Sequence, residues 1–253
     1  MLSLMQPLPT PHRLALKPAS AAPYIWLAAL MSLALFGIDT WWPQFGWLAR
    51  PLIWLGTLFH ELGHGIAAIM VGGELVQLAI YPDGSGLATY QGVSSTMDRA
   101  LVAAAGPLGA PIAGLLLFFS LGHRHAARLA LAMLGAGLAV AVLLWVRNAF
   151  ALGFIAALAL WLTGVAWRGS ERAVYLLSAF IAVEMSLSAF TRMDYLFTAG
   201  AATGAGTLPS DTAQIAQALG FSHIFWGAML GLVALGVVAV GAWRAMRLGR
   251  LQP

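Results

Sequence analysis

The sequence contains no cysteine. Disulfides and thiolate ligands are therefore excluded, and any bound metal must be held by His, Asp or Glu. Charge is scarce as well. Asp, Glu, Lys and Arg make up 9% of the 253 residues, against about 25% in a soluble domain. So few charges cannot cover a water-facing surface. Basic residues outnumber acidic ones, 13 to 9, and the pI is about 10.0. Yet they are scattered between apolar runs and form no patch. That distribution excludes nucleic acid as a partner and suits loop ends beside lipid headgroups. What the chain has in excess is apolar surface: 60% hydrophobic residues and a mean hydropathy of +0.84. This is the composition of an integral, multi-pass membrane protein whose surroundings are a lipid bilayer.

The apolar runs fix the organisation. Residues 1–20 read as a flexible N-terminal tail, residues 21–243 as a single transmembrane domain, and residues 244–253 as a basic C-terminal tail. A first span covers Ala22 to Ile38, and Trp41, Trp42 and Trp47 follow it as an interfacial aromatic belt. A second covers Pro51 to Val71, where Gly63, Gly65 and Ala67 leave room for close helix approach. A third runs from Ala100 to Leu121, with Pro107 expected to kink or interrupt it. Residues 129–167 are too long for one span at about 1.5 Å per residue and are split at Arg147-Asn148. Further spans cover Ala173 to Phe190 and Ile224 to Trp243. Between the second and third spans, Leu75–Tyr81 and Gly86–Tyr90 flank the turn residues Pro82-Asp83-Gly84-Ser85 and read as a β-hairpin. Residues 199–207, rich in Gly, Ala and Thr, read as a loop, and Asp211 with Gln214 resembles a capped helix start, with Ser210 as the alternative cap. His123 and His125 share no helix face and read as a headgroup-facing loop. The fold expected is an all-α polytopic membrane protein of about seven transmembrane helices, with one short β-hairpin after the second.

The second span carries His60-Glu61-Leu62-Gly63-His64. On an α-helix, residues four apart stack on one face. His60 and His64 can then address one ion, and Glu61, about 100° around the helix, can reach a water beside it. This H-E-x-x-H pattern supplies two zinc ligands and the general base of a metalloprotease. Random order of this composition yields it in roughly two sequences per thousand. Two His and a Glu in a membrane-length apolar segment are also costly, which marks a functional site.

An H-E-L-G-H span, a hairpin directly after it, and a span containing Gly106-Pro107-Leu108 together resemble the site-2-protease superfamily of intramembrane zinc metalloproteases. Arg147-Asn148, Asp194, Ser210-Asp211 and Trp226 are similar to its branch of small bacterial peptidase-like membrane proteins. The chain departs from the better-studied branches at Gly109-Ala110, where those carry an Asn after Gly-Pro-x. The resemblance implies Zn2+ as cofactor and a transmembrane protein as substrate. It implies a place in a bacterial inner membrane. Its late Asp matches Asp194.

A catalytic zinc takes three protein ligands and leaves one position open. His60 and His64 supply two. Asp194, Asp211 and Glu184 compete to be the third, and Asp194, at the end of the sixth span, is favoured. Glu61 is the expected catalytic base. Two other classes compete with the protease: an inactive relative that binds and regulates membrane proteins, and a transporter using the His and Glu as a metal or proton path. The motif leads us to expect about one zinc ion per chain. Replacing both His60 and His64 by Ala should abolish it, as read by metal analysis of the purified protein.

Overall fold

The computed structural model describes residues 21–191, 193–203 and 206–248, and within these it leaves out the side chains of Pro43, Arg124, Ala189, Thr191, Met193, Asp194 and Leu248. The expected N-terminal tail lies outside the described residues. Helix α1 (Ala22–Trp41) is followed by a 3-10 turn at Pro43–Leu48 and by α2 (Arg50–Met70). Strands β1 (Glu74–Ile80) and β2 (Gly86–Gln91) form the hairpin, and α3 (Thr96–Ser120) follows. Helices α4 (Arg124–Leu144), α5 (Ala149–Arg168) and α6 (Glu171–Thr191) come next. A one-turn helix α7 (Met193–Leu196), strands β3 (Gly200–Thr203) and β4 (Gly206–Pro209), a short helix α8 (Asp211–Leu219) and the long α9 (His223–Leu248) complete the chain.

Six of these helices are long and apolar enough to cross a membrane: α1 to α5 and α9. Their large apolar side chains include Trp26, Leu30, Leu33, Leu143, Leu160 and Leu232, all more than 60% exposed. Water would not tolerate that surface, whereas lipid requires it. Helix α6 has the length of a span but carries Glu171, Arg172 and Glu184. It packs against α1, α3 and α4. The helices α4 and α5 turn at residues 145–148, as their length demanded. The buried core draws Leu58, Leu78, Ile80, Leu131, Leu138, Ile155, Leu162 and Met185 from α2, the hairpin and α4 to α6.

Two details position the site. The first is the seam between α2 and α3. A Cβ on Gly63 would collide with the Ala105 carbonyl, and one on Gly109 with the Phe59 carbonyl. The two backbones touch because neither helix has a side chain there, the small-residue packing of membrane helices. Helix α3 runs unbroken through Pro107 and Pro111, both buried. The kink or break expected at Pro107 is thus not an interruption; packed neighbours and the adjoining turns absorb a missing backbone bond.

The second is the hairpin, which folds back along α2. Trp54 Nε1 donates to Pro82 O at 3.2 Å and Thr57 Oγ1 to Gly84 O at 2.7 Å. Asp83 Oδ1 accepts from Ser85 N–H and Oγ–H, which fixes the turn. Gly65 faces Leu75 of β1, so this glycine admits the hairpin and Gly63 admits α3. The outer edge of β1 is closed by the chain itself: Leu78 N–H donates to Trp145 O at 2.9 Å and Asn148 Nδ2 to Ile80 O at 2.7 Å. Among the described residues, no strand pairs with the outer edge of β2. A second, smaller hairpin, β3–β4, stands where the sequence suggested a loop, because Gly, Ala and Thr give no alternating pattern to read.

Gly63→Val should lower stability by about 1–3 kcal/mol by forcing α2 and α3 apart. Gly137→Ala, where the added methyl meets open space, should not. Unfolding in detergent micelles measures both.

Candidate metal centre

One turn of α2 separates His60 from His64, and their Nε2 atoms lie 3.2 Å apart. Each ring is set by a neighbour. His64 Nδ1 lies 2.7 Å from the Val102 carbonyl of α3, an acceptor, so this nitrogen carries the proton and Nε2 keeps its lone pair. Gly106 of α3 gives the imidazoles their room, since a Cβ there would fall on the His64 ring and 2.9 Å from His60 Nε2.

The third group comes from α8. Asp211 Oδ2 is 3.0 Å from His60 Nε2, and Oδ1 is 3.2 Å from His64 Nε2. Asp211 is buried, with 2% of its surface exposed. Its placement follows from Ser210, the N-cap of α8. Ser210 Oγ accepts from Ala213 N–H at 3.2 Å and donates to Thr198 O at 2.6 Å. With the cap taken by Ser210, the Asp211 carboxylate at the first helical position is free to face α2. Burial opposes its ionisation, but the facing His64 and His60 rings outweigh that and hold its carboxyl well below the usual carboxylate range.

The arrangement fits a metal ion. One ligand atom from each of His60, His64 and Asp211 lies within 4.8 Å of the other two, and this is the group of that kind among the described residues. Asp211 Oδ2 is buried without a hydrogen-bond partner, although His60 Nε2 is near. A buried carboxylate oxygen left without a hydrogen bond and facing two imidazole nitrogens is what a cation between them would satisfy. Two imidazoles and a carboxylate form a zinc-type donor set with a fourth position to spare.

Glu61 points to the hairpin side. It is buried, and the Ala88 backbone N–H of β2 donates to its carboxylate. A Cβ on Gly86 would lie 2.7 Å from Glu61 Cγ and 2.8 Å from Oε1, so this strand approaches only because residue 86 is glycine. Two phenols flank the group. Tyr195 of α7 meets His60 edge-on, with ring centroids 5.7 Å apart, and touches Asp211. Tyr90 lies on β2. Burial, followed by the Asp211 and Glu61 charges, pushes both phenols up, so both stay protonated.

Of the weighed acids whose side chains are described, Asp211 is the one brought to both imidazoles. Glu184 instead hydrogen-bonds Ser32 of α1. The side chain of Asp194, which the sequence favoured, lies outside the described residues. Nothing in the sequence pointed to Tyr90 or Tyr195. The Ser210-Asp211 pair did carry a signal, because a serine cap makes the following carboxylate redundant as a cap.

A bundle of helices long and apolar enough to cross a membrane thus carries an H-E-x-x-H helix and a converging His-His-Asp group. The chain belongs to the Peptidase M50B-like family, whose model matches residues 26–241. No curated protein and no solved structure matches the chain.

Ser210→Ala removes neither a carboxylate nor an imidazole. It should cost about 1 kcal/mol through the lost cap. It should also weaken metal binding by loosening Asp211, as read by calorimetric metal titration.

Proposed function

We propose that the protein is an intramembrane zinc metallopeptidase that hydrolyses a peptide bond of a membrane-embedded protein substrate. The observation that carries this reading is the convergence of His60, His64 and Asp211 with Glu61 one residue along the same helix. His60, His64 and Asp211 would hold the zinc, with Asp211 taking the role that the sequence gave to Asp194. Bound there, zinc would supply a Lewis acid and acidify a water.

The chain's own groups do the rest. The Glu61 carboxylate accepts a proton from the attacking water and later delivers it to the leaving nitrogen. The Ala88 N–H holds Glu61 in place for both transfers. The Val102 carbonyl fixes the His64 ring, so that one nitrogen only is left for the ion. The outer edge of β2 can accept an unwound substrate strand through main-chain hydrogen bonds, next to Glu61. A helical substrate has its peptide groups internally paired, so it must unwind first.

The experiment is cleavage of reconstituted single-span proteins, with zinc measured on the same samples. Glu61→Gln should keep zinc and lose turnover by about 10²–10⁴-fold. Asp211→Ala should weaken zinc binding far more than Asp194→Ala does. The reverse order for the two aspartates would assign the third ligand to Asp194. Undiminished cleavage by Glu61→Gln would overturn the mechanism.

A further inference from the structure

Adding water to a peptide carbonyl puts a full negative charge on the carbonyl oxygen, and a buried site needs a hydrogen-bond donor for it. The described arginines on the elements around the centre are engaged elsewhere. Arg50 donates to the Pro82 carbonyl, Arg99 to Ser94, and Arg147 to Val146. The imidazoles face Asp211, and the Ala88 N–H is taken by Glu61.

The five tyrosines are distributed unevenly with respect to this centre. Tyr24 and Tyr175 stack on each other, at 5.5 Å, between α1 and α6. Tyr81 closes the hairpin turn, its N–H bonded to Ser85 O. Tyr90 and Tyr195 stand near both Glu61 and Asp211. Of these two, Tyr195 is the one with its ring edge against His60 and its phenol hydrogen-bonded to Asp211, a bond the O–H can exchange for one to substrate. Tyr90 lies on the hairpin and shares a strand face with Gly86 and Ala88.

We propose that Tyr195 is a further catalytic residue, its phenol O–H donating a hydrogen bond to the oxyanion of the tetrahedral adduct. This rests on the peptidase reading above. The water oxygen forms a bond to the carbonyl carbon, and the carbonyl π pair moves onto oxygen. Glu61 takes the water proton. Tyr195 lends a hydrogen bond to the new oxyanion and transfers no proton. Collapse of the adduct restores the carbonyl, breaks the C–N bond and sends the Glu61 proton to nitrogen.

Tyr195→Phe keeps the ring and its packing on His60 and deletes only the hydroxyl. Three readouts on zinc-loaded protein decide the matter: zinc affinity, steady-state kinetics, and calorimetric affinity for a phosphinic peptide, whose tetrahedral phosphinate mimics the adduct. Tyr195→Phe also loses the phenol's hydrogen bond to Asp211, so its zinc affinity should fall modestly, and the kinetics are therefore read at saturating zinc. Its kcat should fall about 10²–10³-fold with KM little changed, and phosphinic-peptide affinity should fall with it. Tyr90→Phe should change these values much less. Wild-type turnover by Tyr195→Phe, or a loss of zinc affinity that accounts for the lost turnover, overturns the proposal. So does the expected pattern appearing in Tyr90→Phe instead. If the wild type neither cuts a substrate nor binds the phosphinic peptide, the peptidase reading falls too. If the wild type cuts, Glu61→Gln does not, and Tyr195→Phe cuts at full rate, only the role of Tyr195 falls.

Discussion

Two imidazole nitrogens and a carboxylate oxygen, buried face to face, repel one another unless positive charge lies between them. In low dielectric this cost is large, and a protein that accepts it must gain something from the same atoms. The structure concentrates its rigidity there. Val102 of α3 fixes one ring, Ser210 fixes the carboxylate, and Gly106 makes the space. Val102 and Gly106 belong to α3 and Ser210 caps α8, while the imidazoles themselves come from α2. The centre is therefore a junction of α2, α3 and α8, and the bundle around it can be understood as the means of holding three elements in register.

That register rests on what is missing from the side chains. Helix α2 uses Gly63 against α3 and Gly65 against β1, two residues apart and on different sides of the helix. Hydrophobic burial cannot drive this contact inside lipid, where tails are as apolar as leucine. Close van der Waals approach can, and it also brings the Val102 and Ala88 backbone groups within reach of His64 and Glu61. Tight packing and polar positioning are thus one device.

The parts legible in the sequence were those encoded locally. His60 and His64 are one turn apart, so their shared face follows from helix geometry alone. The first hairpin was legible because Pro82-Asp83-Gly84-Ser85 is strong turn chemistry, and the Arg147-Asn148 turn because 39 apolar residues exceed a bilayer. The third acid was not decidable, because it depends on where α8 docks, a tertiary fact. Asp211 looked sufficiently explained as a helix cap until Ser210 proved to hold that position. Tyr195 was invisible for the same reason: a lone aromatic after an apolar span is ordinary unless its neighbours in space are known. The β3–β4 hairpin was missed because its small residues have no pattern.

The two edges of the first hairpin differ in a way that matters in a membrane. An exposed row of N–H and C=O groups costs several kcal/mol per unpaired group, by order of magnitude, in hydrocarbon. On β1 the chain meets this cost with its own backbone at Trp145 and with the Asn148 side chain. On β2 the Ala88 N–H goes to Glu61, and no strand pairs along that edge among the described residues. An extended peptide strand would satisfy the edge, whereas a helix, with its own bonds already made, would not. In the proposed reaction the edge therefore does more than hold substrate. It would lower the free energy of the unwound peptide relative to the helix, beside the residue proposed to take the proton from water.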